Sequence, residues 1–224
     1  TDAMVGQVLN TLNSVGVAER TLVVFTSDNG FAPYVGAEAL EAMGHFPSGP
    51  LRGYKSDVWE GGHRVPFVVR WPGQVAANSV SHRLVHQADL LATFAEIVGA
   101  ELQPSEGEDS YSLFSVLTGT DEPPREHAVS QSSGGLIALR HGPWKLIFGP
   151  GSGGWTEGGD ELPAQLYNLE SDLGETNNLY ADQPQRVDEL TTLMHQLVEN
   201  GRSTRGTPQP NDQPFDWRRH MSAP

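Results

Sequence analysis

Residues 21–30 read TLVVFTSDNG, residues 44–66 read GHFPSGPLRGYKSDVWEGGHRVP, and residues 67–73 read FVVRWPG. Leu22, Val23, Val24 and Phe25 form an unbroken apolar run that stops just before Asp28-Asn29. Such a run predicts a strand buried on both faces, as in a parallel sheet covered by helices. A second apolar run, Val65 to Trp71, predicts another strand closed by the turn dipeptide Pro72-Gly73. Upstream, Met4, Val8, Leu12 and Val15 recur at helical spacing, so 2–15 is expected to be a helix with Gly16 at its C-terminus. A helix followed by a buried strand is half of an α/β repeat. Between the strands, 29–63 is dense in Gly and Pro, with one helical turn expected around Ala37–Met43. Connections that long are usually functional or disordered.

Farther along, Val85 is expected to begin a short strand. Asp89 is expected to N-cap a helix to about Val98, with Leu90, Leu91, Phe94, Ile97 and Val98 inward and Gly99 ending it. Residues 101–128 are acidic and Pro-rich and mark a boundary. Beyond it, Leu136–Arg140 and Trp144–Phe148 flank His141-Gly142-Pro143 and read as a hairpin. Gly149–Gly159 is a glycine-rich loop and Gln165–Leu169 another strand. A last helix runs from Asp182 to about Gly201, with Pro184 in its first turn and Val187, Leu190, Leu193, Met194 and Leu197 on its core face. The fold class expected is α/β. An α/β part spans 1–128, a small antiparallel sheet with a packed C-terminal helix spans 129–201, and an extended polar tail spans 202–224.

The composition narrows the functions available. A formal charge of −14 disfavours phosphate backbones, so a nucleic-acid partner is not expected. The absence of cysteine removes a disulfide scaffold, a thiolate zinc site and a cysteine nucleophile from this chain. No apolar run approaches the ~20 residues of a membrane span. The sequence opens in a helical pattern with no signal segment, which reads as the interior of a longer protein.

Asp28 offers an anionic oxygen and Asn29 a neutral carbonyl oxygen at the carboxyl end of a strand, where α/β sheets bind ligands. The pair suits a hard cation such as Ca²⁺ or Mg²⁺, although Asp-Asn-Gly is equally a turn sequence. Lys55 sits among glycines and offers a point charge for a tetrahedral oxyanion, or is a solvated surface lysine. Arg52 and Arg64 are open to pairing with Glu60 or Asp57, and His45 and His63 to donating to a substrate oxygen. There is no dinucleotide or P-loop glycine pattern and no G-x-S-x-G elbow.

Taken together, VVFTSDNG, PLRGYK and WEGGHRVPFVVRWPG strongly resemble the sulfatase family, in the order found in the downstream half of an arylsulfatase catalytic domain. HQADLLATFAEIVGA resembles the family's following helix. WKLIFGPG and QLYNLESDLGETNNL resemble its C-terminal subdomain, so the likeness covers roughly 1–200. The resemblance implies a partial alkaline-phosphatase-like α/β sheet domain and hydrolysis of a sulfate monoester, aryl or carbohydrate. It implies that Asp28 and Asn29 bind a metal, normally calcium, and that Lys55 contacts sulfate oxygens. Glu60, Gly61, Gly62 and Arg64 would shape the loop behind the lysine. His45 and the Gly149–Gly159 loop are expected at the substrate rim. The family's nucleophile is a formylglycine from a C/S-x-P-x-R motif, expected upstream of Thr1 with further metal and sulfate ligands. Ser48-Gly49-Pro50-Leu51-Arg52 fits that pattern by coincidence, since it follows the Asp-Asn strand. The chain alone is therefore expected to be inactive, and its bare strand edges prone to association. The resemblance further implies a secreted or periplasmic location and a sulfated small molecule or glycan as partner. The competing readings are a formylglycine-type phosphonate or phosphodiester hydrolase of the same superfamily, and a non-catalytic binding module. Asn29 in place of a histidine argues against a two-zinc phosphodiesterase.

Overall fold

The fold is seen in a computed structural model, which describes residues 1–119, 125–159 and 161–221. Part of the expected boundary, 120–124, and the last three residues of the tail lie outside the described residues.

Helix α1 spans Asp2–Ser14 and ends as the sequence indicates. Gly16, at φ +74°, lets its N–H bond Asn13 while the Val17 N–H bonds Leu12, closing the last turn. Strand β1 (Val23–Thr26) pairs with β2 (Phe67–Arg70). The pairing is antiparallel, Thr26 opposite Phe67 and Val23 opposite Arg70, where a parallel sheet was expected. The reason is topological. Residues 27–66 leave the end of β1, fold beside it and return to the same end, so β2 runs back along β1. Burial also differs from expectation. Phe25 is 38% exposed and Val68 58%, and α1 buries no residue.

The long connection contains a 3₁₀ turn at Pro33–Val35, α2 at Ala37–Ala42 and a one-turn helix, α3, at Glu60–His63. The α3 turn was read as loop, because EGGH has two glycines and poor helix propensity. No strand forms at Val85. Helix α4 is Asp89–Val98, closed by Gly99, but Asp89 is its first residue and Ala88 its cap. Its apolar side is largely open among the described residues, with Leu91 51%, Phe94 43% and Val98 75% exposed. Asp89 and Thr93 are buried instead. A short helix, α5 (Phe114–Thr118), follows.

The second sheet is a meander of β3 (His127–Gln131), β4 (Ile137–His141), β5 (Trp144–Ile147) and β6 (Gln165–Asn168), antiparallel throughout. The expected division at 128/129 falls inside β3. Helix α6 spans Pro184–Asn200, capped by Gly201 at φ +59°. Alternation along the strands builds two cores on opposite faces. Ile137, Leu139, Leu146, Phe148 and Leu166 pack on Leu190 and Met194 of α6. Leu136, Ala138, Ile147 and Tyr167 point the other way and cover Val58 and Trp59, just ahead of α3. The loop that carries Lys55 is thus seated on the sheet.

The tail is not simply extended. Trp217 is 5% exposed and sits edge-on to Phe148, ring centroids 4.7 Å apart. Arg202 donates to the Pro104 carbonyl at 3.1 Å, and the Ser203 and Thr204 N–H groups bond Glu108. Among the described residues no helix is long and apolar enough to cross a membrane.

Trp217→Ala should lower the unfolding free energy by about 3–5 kcal/mol, as for other buried large-to-small changes. A shift within about 0.5 kcal/mol in urea titration, the range of a surface change, would return the tail to the status of a passive extension.

Candidate functional site

Strand β1 delivers Ser27, Asp28 and Asn29 to its carboxyl end. The Ser27 hydroxyl donates to the Asn29 carbonyl at 3.0 Å, and Asn29 Nδ2 donates to the Gly30 carbonyl at 3.0 Å. That orients the Asn29 side chain and leaves its Oδ1 without a partner among the described residues. Asp28 is exposed, and among the described residues its side chain accepts one hydrogen bond, from the Ser27 hydroxyl at 3.5 Å. Gln87 Nε2 holds the strand end from outside, donating to Thr26 Oγ1 at 3.2 Å and to the Ser27 carbonyl.

The backbone clamps this strand end to the lysine loop. The Gly30 N–H bonds Gly62 and the Lys55 N–H bonds Phe31, both at 2.9 Å. Glycine is required at the crossing. A Cβ on Gly30 would lie 1.8 Å from the Gly61 oxygen, one on Gly61 2.2 Å from the Gly53 oxygen, and one on Gly62 2.1 Å from the Asp57 oxygen. So Asp28-Asn29, Lys55 and α3 form one backbone-bonded unit. Lys55 is half-buried, and among the described residues no carboxylate pairs with its ammonium. Next to it, Asp57 is buried and accepts from the Tyr54 N–H at 2.8 Å and the Trp155 and Thr156 N–H groups at 3.0 and 3.1 Å. This fixes the 149–159 loop beside Lys55. The Tyr54 hydroxyl donates to Glu41 of α2, and burial with that carboxylate pushes its pKa up to about 12.

Behind α3 lies a buried ion network. Lys145 of β5 meets Glu60 Oε1 at 3.0 Å and Glu175 Oε1 at 2.8 Å, all three side chains at most 2% exposed. The Glu175 contact is ionic rather than a well-directed hydrogen bond, since Oε1 has no partner of good angle. Glu175 Oε2 accepts the Glu60 N–H at 2.6 Å. Arg64 and Arg140 approach Glu60 Oε2 at 3.3 and 3.9 Å. Burial pushes the Glu60 carboxyl up, but Lys145, His63 and Arg140 outweigh it and hold the pKa at about 2. Burial dominates at Glu175 and raises its pKa despite Lys145. Two carboxyls sharing one lysine are thereby pushed apart. Desolvation of its ring and the Lys145 charge lower the His63 pKa to about 4, although part of the side chain reaches solvent, and its Nε2 lies 3.0 Å from the Val58 carbonyl, which braces α3.

Arg52 pairs with neither Glu60 nor Asp57. It stacks 3.6 Å over Trp59 and donates to the Tyr167 hydroxyl at 3.1 Å and the Glu175 carbonyl at 2.8 Å. The Ser48 hydroxyl donates to the Gly53 carbonyl at 3.0 Å. Both ends of the coincidental S-x-P-x-R run are therefore engaged in holding the loop. His45 is exposed, and no hydrogen bond or ion pair joins it to Asp28, Asn29 or Lys55 among the described residues. Asp89, expected as a cap, instead forms a buried pair with Arg125 and accepts the His86 and Tyr111 N–H groups at 2.8 and 3.0 Å.

Sequence reasoning missed Lys145, Glu175 and Arg125. The one available signal was a lone charge inside the apolar strand WKLIF. As for a metal, the described residues contain no cluster of three or more His, Asp or Glu arranged to hold one. Asp28 and Asn29 present hard oxygens that no cationic side chain pairs with among the described residues, which fits part of the shell of a hard cation. The clefts between 102–110 and 202–207 and between 195–199 and 214–218 contain none of these residues.

The family model named Sulfatase matches residues 1–100. An N-acetylgalactosamine-6-O-sulfatase of Bacteroides thetaiotaomicron is 35% identical over 204 residues, covering 88% of this chain and 40% of that protein. The chain belongs to the sulfatase family. Arylsulfatase A of Homo sapiens is 33% identical over 213 residues, again covering 88% of the chain and 40% of the relative. A solved Bacteroides thetaiotaomicron sulfatase, from work on the metabolism of multiple glycosaminoglycans, superposes with a TM-score of 0.77 at 33% identity, over 88% of this chain and 42% of that one. This sulfatase chain thus spans about 40% of the length of the curated relatives it matches. Its α/β architecture with a terminal helix is the alkaline-phosphatase-like fold of those neighbours.

Lys145→Met should cost about 3–5 kcal/mol, because it strands two buried carboxyls; loss of less than about 1 kcal/mol in denaturant titration would show that the network is dispensable. The pH dependence has a definite sign. Folded Glu60 holds its proton less tightly than the unfolded chain does, so its contribution is full above pH 4.5 and is lost between 4.5 and about 2. Glu60→Gln should remove that slope, so its stability curve and that of the parent converge as pH falls through this window. Parallel curves would refute the assignment.

Proposed function

We propose that this chain supplies the metal ligands and a sulfate-binding lysine of a sulfuric ester hydrolase. The observation that carries the reading is the clamp joining Gly30 to Gly62 and Phe31 to Lys55, which sets on one frame an oxygen pair and an ammonium that no carboxylate among the described residues pairs with. Asp28 and Asn29 would hold a divalent cation, taken here to be calcium from the hard, neutral-plus-anionic oxygen pair. When bound, that ion supplies positive charge to the ester oxygens. Lys55 places its ammonium toward the same oxygens, and as charge builds on them its stabilisation grows without reorganisation of the loop. Asp57 and the Glu60 network keep the loop rigid, so the lysine is positioned before the substrate arrives. Asp28 also orients the attacking group, whose source in this family is a formylglycine that no residue of this chain provides. The substrate class proposed is a sulfated carbohydrate or small aryl sulfate, supported by the name of the N-acetylgalactosamine-6-O-sulfatase relative. A secreted or periplasmic location extends the same reading, and cell fractionation tests it.

In the polypeptide that joins this chain to a formylglycine-bearing segment, Lys55→Ala should lower sulfate-ester turnover by ~10²-fold or more, as loss of an oxyanion donor does elsewhere. Retained turnover removes Lys55 from the site. Preference for a phosphate diester over an aryl sulfate, measured on the same protein, would replace the sulfatase reading with the phosphohydrolase one.

A further inference from the structure

Two large aromatic rings stand in the open beside the Lys55 loop. Tyr34 is 69% exposed and Trp155 51%, with centroids 5.6 Å apart and planes at 55°. Tryptophan is among the more buried residue types on average, so a half-exposed indole on an ordered loop calls for a reason. Both rings sit on segments hydrogen-bonded to the lysine loop. The Trp155 N–H bonds Asp57 at 3.0 Å, and Gly154 fits so closely on Ser56 that a Cβ would lie 2.5 Å from its carbonyl. Tyr34 follows Phe31, whose carbonyl accepts the Lys55 N–H at 2.9 Å. Each ring is therefore within three residues of a group touching 55–57, a reach of about 11 Å at full extension.

The polar border of this patch is specific too. Ser56, at φ +88°, holds a backbone conformation that non-glycine residues rarely adopt, and such strain collects at functional sites. Its hydroxyl meets that of Ser133 at 2.8 Å on an exposed edge. The surroundings thus offer a cation, two fixed aromatic faces and a hydroxyl pair within one short span. A sugar ring bearing a sulfate matches all three: an anion for Lys55, C–H faces for the rings, and hydroxyls for the serines. The chain's −14 charge disfavours a densely anionic polymer, so a lightly sulfated sugar fits better than a polyanion.

We propose that Tyr34 and Trp155 form a stacking platform for the pyranose ring adjoining the sulfate held at Lys55. The inference rests on the sulfatase reading above and assigns that site a substrate ring and two specificity residues. Fixed aromatics serve this purpose well, because they offer large contact area at small entropic cost.

The test uses the complete enzyme, with KM measured for N-acetylgalactosamine 6-sulfate and N-acetylglucosamine 6-sulfate and Ki for inorganic sulfate. Trp155→Ala and Tyr34→Ala should each raise the sugar-sulfate KM by about tenfold, the upper end of what an aromatic contact contributes, and leave the sulfate Ki within about twofold. Trp155→Phe should recover most of the loss. Lys55→Ala should weaken sugar sulfate and inorganic sulfate together. An unchanged KM in the alanine variants overturns the platform, as does a KM and Ki that rise in parallel, which marks a purely structural role. Turnover of p-nitrophenyl sulfate with no turnover of either sugar sulfate overturns the sugar assignment. If the parent enzyme hydrolyses no sulfate ester and binds no sulfate, the sulfatase reading itself fails.

Discussion

The contact between Lys145 and the two buried carboxyls, Glu60 and Glu175, ties the halves of this molecule together. Lys145 belongs to the meander sheet, Glu60 opens the α3 turn behind the end of β1, and Glu175 lies in the loop after β6. An isolated charge in such a position would be far too costly to bury, so each group is present only because the others are. The Glu60 N–H bonded to Glu175 adds direction to what would otherwise be a non-directional attraction. From Glu60 the constraint passes through Gly61 and Gly62 to Gly30, and so to Asp28 and Asn29. The network needs no advantage over an apolar core of equal volume to be useful. Its value is geometric: only one placement of α3 satisfies all its partners, a specificity that apolar packing supplies less sharply.

This arrangement accounts for the electrostatic character of the site. The positive charges near α3, Lys145, Arg64 and Arg140, are directed at Glu60, whereas Lys55 has no such partner among the described residues. A lysine that meets no carboxylate among the described residues stands out in a chain carrying a −14 charge, and the proposed sulfate-binding role rests on it. Asp57 could have paired with it but is engaged by the N–H groups of Tyr54, Trp155 and Thr156. The placement of the 149–159 loop and the absence of an Asp57–Lys55 pair thus share one cause.

What the sequence disclosed depended on the range of the determining contact. The face of α6 was legible because Val187, Leu190, Leu193, Met194 and Leu197 repeat locally and meet one continuous sheet. The hairpin around Gly142 was legible from its turn residues and strand alternation. The same periodic reading placed α4 correctly but misassigned its buried side, where Leu91, Phe94 and Val98 are open and the N-terminal end is held by the Asp89–Arg125 pair. The direction of β2 was hidden because no local signal distinguishes a return from a crossover over so long a connection. Lys145 and Glu175 were hidden because a buried charge is explained only by partners distant in sequence. Trp217 was hidden in a polar, Pro-rich stretch whose composition describes its neighbours and not itself. For the candidate site, the order of the motifs singled out Asp28, Asn29 and Lys55, but the glycine crossings that hold their segments together are visible only in three dimensions.

The alternation along β4 and β5 has a consequence for how this protein can change over time. Leu139, Leu146 and Phe148 answer to α6, whereas Ala138, Lys145 and Ile147 answer to the loop that carries the chemistry. Neighbouring positions on one strand therefore belong to separate constituencies, and distant substitutions without shared partners combine independently. A volume change among the helix-facing residues acts first on α6, whereas a change one position along acts first on the Lys55 loop. The sheet thus stands between two packing interfaces, each with its own tolerance for substitution.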